Sequence, residues 1–170
     1  MESGIGSYAA LDYDRVSDSI ILATRRDGIV SIYRIPTTAP GKTIRIASMT
    51  EEGGATMKRL ASDNSGRIYL YDWGSNDILL VDEPNMELKT LFTDILASRA
   101  ITVPGFEYSA IEDALIIGTL EYYYAIDRDT GKQETLAMNK HGADNFAIHE
   151  NPDGSLLFIH SGQIFKLNPR

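Results

Sequence analysis

The sequence predicts an all-β fold in which one multi-strand unit recurs about four times, and three observations lead there. Runs of four to seven residues rich in Ile, Val, Leu and Tyr alternate with clusters of Gly, Asn, Asp and Pro, the pattern of short strands and tight turns. The strongest apolar triplets begin at Ile20, Ile68, Leu115 and Leu156, spacings of 48, 47 and 41 residues. Helical periodicity is weak except in "MELKTLFTDILASRA", residues 86 to 100.

Each triplet follows a turn, "RVSDS", "DNSG", "AIED" or "NPDG", and precedes a further β-rich run. In the first copy the order is "YAALDY", the triplet Ile20-Ile21-Leu22, "GIVSIYRI" and "KTIRIASM". The second copy has strands expected at 57–62, 67–72, 77–82 and 87–93, followed by a short helical turn near 93–98. In the third, "ITVPGFEY", Leu115-Ile116-Ile117, "YYYAID" and "QETLAM" take the same places. The fourth offers "NFAIHE", Leu156-Leu157-Phe158 and "QIFKL", and stops at "KLNPR" without an outer strand. Four copies, about 8–49, 50–94, 95–138 and 139–170, make one domain or a segment of one. A period of roughly 45 residues with several short strands per copy points to the blades of a β-propeller-like array.

Composition narrows the function. The chain has 170 residues, 43% of them hydrophobic, ordinary for a globular fold with a substantial core. Its net charge is −8, and the lysines and arginines are scattered, which argues against a nucleic-acid partner. There is no cysteine, so disulfide scaffolds, thiolate metal sites and cysteine nucleophiles are excluded. No apolar run approaches the roughly 18 residues of a membrane span, and "MESGIGSYAA" carries no signal-peptide pattern.

Motifs for chemistry are few. "DRDTGKQE", residues 127–134, superficially resembles a calcium loop, but Gly131 comes too early and Glu134 lies only three residues beyond it. A hairpin turn explains the stretch. His141, His149 and His160 stand at spacings that match no metal-binding helix. There is no Gly-x-Ser-x-Gly elbow, and "EEGGA" lacks the strand–loop–helix context of a phosphate cradle. Tyr122 and Tyr124 should face one side of a strand and Tyr123 the other. Trp73, the only tryptophan, sits in a polar turn and reads either as a binding contact or as a cap on its own blade. No cofactor and no metal is expected.

"ALDYDRVSDSIILATRRDGIVSIYRI" and "LASDNSGRIYLYDWGSNDILLVDEPNMELKTLFTDILASRAITV" resemble the YWTD repeats of the low-density-lipoprotein receptor family. The signature falls on Tyr69-Leu70-Tyr71-Asp72, which keeps the terminal Tyr and Asp, and the likeness is best over residues 8 to 103. "YAIDRDTGK" also resembles blades of quinoprotein-like propellers. The resemblance implies a protein ligand held on one face, and an extracellular location if the chain is a fragment of such a protein; otherwise a cytoplasmic one remains open. In a propeller, second-to-third strand turns and blade-to-blade connectors emerge on one face. Here they gather Arg25, Arg26, Trp73, Asn76, Glu121 and His160 as the expected ligand-binding face. The expected function is a non-catalytic binding module, with a propeller hydrolase or lyase using a central carboxylate or histidine as the alternative. An array of four blades leaves the outer faces of the first and last copies uncovered, so a partner segment completing the ring, or a homo-oligomer, is expected as well.

Overall fold

The computed structural model describes residues 9–51, 58–96, 105–119, 121–138, 148–160 and 163–167. Fifteen strands and one short 3-10 helix make up the regular structure of these residues. The expected all-β array of blades is what the chain forms. It divides into two compact units, Met1–Thr93 and Asp94–Arg170.

The first unit holds two four-stranded antiparallel blades. Blade 1 is β1 (Ala9–Asp14), β2 (Ser19–Arg26), β3 (Ile29–Pro36) and β4 (Ile44–Thr50), each strand paired with the next. Blade 2 is β5 (Lys58–Ser62), β6 (Ile68–Asp72), β7 (Asp77–Asp82) and β8 (Glu87–Phe92). Strand periodicity sends alternate side chains to opposite faces, which is why these blades can stack. Ile21, Ala23, Val30 and Ile32 of blade 1 are buried in one cluster with Leu60, Ile68, Leu70 and Leu79 of blade 2. The outer strands β4 and β8 meet in parallel at one point, Ser48 opposite Glu87, where the Ser48 N–H donates to the Met86 carbonyl at 3.1 Å.

The second unit holds blade 3, β9 (Gly105–Ser109), β10 (Ala114–Gly118), β11 (Tyr122–Asp127) and β12 (Gln133–Met138). Blade 4 has three described strands, β13 (Ile148–Glu150), β14 (Leu156–His160) and β15 (Gln163–Leu167). Ala114, Ile116 and Tyr123 form one buried cluster with Ile148 and Leu156. Tyr122 packs its ring 5.9 Å from that of Tyr124, so the two share a side of β11 as expected.

The turn from first to second strand follows one rule in every blade. Asp18, Gly66, Asp113 and Gly154 all have positive φ, and each stands two residues before its apolar triplet. A left-handed residue there reverses the chain, and Gly or Asp tolerates it best. The helical turn expected near 93–98 does not form over its described part. Thr93 to Leu96 make bends and turns, with Asp94 and Leu96 at positive φ, a backbone that cannot continue a right-handed helix; positions 97 and 98 lie outside the described residues. The short 3-10 helix instead spans Glu83–Asn85, before β8.

Candidate functional site

The turn from second to third strand of blade 1, and that of blade 2, lie at the ends of β2 and β6. A chain of buried ion pairs links these two ends. Arg25 at the end of β2 bonds the Glu51 carboxylate through Nε at 2.5 Å. Lys58, the first residue of β5, reaches the other Glu51 oxygen at 2.6 Å and the Asp72 carboxylate at 2.7 Å. The Lys58 side chain is fully buried, and those of Glu51 and Asp72 are 6% and 12% exposed. Two cations thus meet two carboxylates, which is how a charge is retained away from water.

The same carboxylates fix the turns. The second Asp72 oxygen accepts from the Gly74 N–H at 2.9 Å, pinning the loop that carries Trp73. The Glu51 N–H donates to the Gly28 carbonyl at 2.8 Å, which ties the connector after β4 to the β2–β3 turn. Tyr71 donates its hydroxyl to Asn76 at 2.8 Å across the far side of the Trp73 loop. Burial, with the charges of Asp72 and Asp77, pushes the Tyr71 hydroxyl pKa well up, so it remains a donor.

Arg26 is exposed beside Asp27, at 3.6 Å. Trp73 and Asn76 are half-buried, and Asn76 adopts a left-handed backbone, φ 58°. Arg25 stands at the same end, its Nε engaged with Glu51. Glu121 and His160 occupy the corresponding positions in the second unit. Glu121 is exposed between β10 and β11, and His160 ends β14 opposite Gln163. The connectors at 52–57, 97–104 and 139–147 lie outside the described residues, and so does His141.

Three features escaped sequence reasoning or were confirmed only by geometry. The Lys58–Glu51–Asp72 cluster was missed; its one signal is a lysine at the head of the short inner strand "KRLAS". Asp127 behaves as a turn residue, with Oδ1 accepting from the N–H of Asp129 and from both donors of Thr130 at 2.8–3.0 Å. Asp12, on the inner strand β1, buries Oδ2 without a hydrogen-bond partner. Burial pushes its carboxyl above the usual aspartate range. Among the described residues, no three His, Asp or Glu side chains gather as a metal site, and no helix is long and apolar enough to cross a membrane.

No protein-family model and no curated protein sequence matches this chain. Solved structures do. A virginiamycin B lyase from Staphylococcus aureus, in a catalytically inactive form with quinupristin, superposes with a TM-score of 0.61 at 13% identity, over 94% of this chain and 54% of that one. TolB from Acinetobacter baumannii gives 0.60 at 13%, covering 95% and 44%. A protein of unknown function from Bacteroides thetaiotaomicron gives 0.68 at 10%, covering 99% and 43%. The chain is therefore β-propeller-like in fold. It spans about half the length of these relatives, between 43% and 54%.

Proposed function

We propose that this chain is a non-catalytic binding module of the β-propeller type, which presents the turn-bearing end of its blades to a protein ligand. The observation that carries this reading is the buried Arg25–Glu51–Lys58–Asp72 chain, which anchors the roots of the turns bearing Arg26 and Trp73. Loops held by a rigid scaffold lose little entropy on binding. Tryptophan and arginine are the residues that most often dominate protein interfaces. The resemblance of Tyr69-Leu70-Tyr71-Asp72 to YWTD repeats supports the same reading, since it implies protein ligands on one face.

The test is selection of binders from a displayed library of natural protein fragments, followed by titration against Trp73→Ala. The expected loss is about 2 kcal/mol, roughly 30-fold in affinity, with an unchanged circular dichroism spectrum. Binders indifferent to Trp73→Ala and to Arg26→Ala would move the binding surface elsewhere.

A second reading, a hydrolase or lyase working from the inner strands, is favoured by one residue, the half-buried Asp12 with its buried Oδ2. A carboxyl whose pKa is raised by burial is the kind of group a general acid uses. Because the folded value is raised, its contribution to stability is fullest below pH 3.8 and falls as pH rises through that elevated value. On the binding reading, Asp12→Asn removes this penalty and raises the unfolding midpoint at neutral pH. A substrate turnover abolished by Asp12→Asn would establish the second reading instead.

A further inference from the structure

Arg25 has a guanidinium that is only partly used. Strand alternation puts it on the same face of β2 as Ile21 and Ala23, the face packed on blade 2. Its cross-strand neighbour Val30 is buried in that cluster, and Met49 beyond it packs against the same residues. Arg25 therefore stands at the turn-bearing mouth of the seam between blades 1 and 2, its side chain 18% exposed. Arg26, one residue on, belongs to the opposite face, where it lines an open groove with Leu22 and Tyr33.

The partners of Arg25 decide which of its donors are left. Its Nε bonds one Glu51 oxygen, and Lys58 takes the other. Lys58 is in turn shared with Asp72. Among the described residues no acceptor meets either terminal nitrogen of Arg25, and neither nitrogen is buried. The guanidinium is thus fixed through Nε and open at its outer end. A planar pair of N–H donors held in this way matches the two oxygens of a carboxylate, and little rotamer freedom remains to be lost when one binds.

We propose that the outer end of Arg25 receives a carboxylate, the side chain of an aspartate or glutamate in an acidic segment of the protein ligand. This rests on the binding-module reading above and names the chemistry of its contact. Two observations select a carboxylate over a phosphate. Arg25 and Lys58 are matched one for one by Glu51 and Asp72, and Arg26, the next cation, lies on the other face beside Asp27. A phosphate group, with about two charges, would then stand close to the Glu51 carboxylate with no second cation to meet it. The chain's net charge of −8 weighs further against a doubly charged group. The Trp73 loop, rooted on Asp72 through the Gly74 N–H, gives a residue beside the ligand's acid an aromatic surface to lie on.

Titration of the 170-residue chain with a capped tetraglutamate peptide at low ionic strength tests it, followed by nuclear magnetic resonance. The side-chain N–H signal of Arg25, and the backbone amides of Gly28 and Gly74 beside the seam, should move saturably. The uncharged tetraglutamine peptide should move none of them. Arg25→Lys keeps a charge beside Glu51 but removes the fork, and should weaken tetraglutamate binding about tenfold or more. Arg45→Gln, at an exposed arginine of β4 on the groove side of blade 1, should leave binding unchanged, which separates the site from general attraction to positive charge. An Arg25 signal in the unaltered chain that ignores tetraglutamate, equal binding by Arg25→Lys, or a response to inorganic phosphate alone would each overturn the assignment. None of these results touches the binding-module reading, which falls instead if selected binders ignore both Trp73→Ala and Arg26→Ala.

Discussion

Asp63, in the turn between β5 and β6, accepts five hydrogen bonds, from the N–H and hydroxyl of Ser65, the N–H and Nε of Arg67, and the Tyr69 hydroxyl, all at 2.6–3.0 Å. Burial alone would raise its pKa, but these donors outweigh it and hold the carboxyl down at about 2. A depressed carboxylate contributes stability that is present above its unfolded value of 3.8 and is lost as pH falls toward about 2. Asp63→Asn should therefore cost about 2 kcal/mol at neutral pH and flatten the acid limb of the stability curve between those values, measured by denaturant titration. A related device recurs with tyrosine. Tyr13, Tyr71 and Tyr108 each donate to an Asp or Asn five residues on, at 2.5, 2.8 and 2.6 Å, and each acceptor has positive φ. The bond offsets part of the cost of a left-handed residue that is not glycine. The turns were legible in the sequence from their Asp, Asn and Gly content. The tyrosines were not, because a tyrosine in a strand reads first as packing.

At the level of the strand, reading from sequence worked where spacing is local. Second-copy strands expected at 57–62, 67–72, 77–82 and 87–93 form at Lys58–Ser62, Ile68–Asp72, Asp77–Asp82 and Glu87–Phe92. Alternation and turn residues suffice for that. The ion-pair chain was illegible because Arg25, Glu51, Lys58 and Asp72 come from β2, a connector, β5 and β6, and no periodicity relates them. Its weight is nonetheless large. Lys58→Met leaves two carboxylates buried with one cation fewer, and removing one partner of a buried pair costs about 3–5 kcal/mol. Arg25→Gln acts at the more open end of the chain, where Arg25 is 18% exposed, and should cost about 1 kcal/mol. Chemical denaturation of the two variants should show that order; equal midpoints would mean that the Glu51 and Asp72 carboxylates find replacement hydration once Lys58 is gone.

For the molecule as a whole, two compact units each build their core between a pair of blades, and the sequence repeat showed the blades without showing this pairing. The reason is that period marks each copy alike, whereas the grouping depends on contacts between faces. The single bridge between β4 and β8 bears on how the first unit opens. The Ser48 amide is bonded to Met86, a residue of the neighbouring blade, so its proton is released only when the outer margins of both blades part. In a hydrogen-exchange experiment this amide should follow the slow class of core amides such as Ile21 and Leu70, although Ser48 stands in an outer strand. Exchange at the rate of a fraying edge would show the two blades melting one after the other. Slow exchange would make them one cooperative unit, with the bridge as its latch.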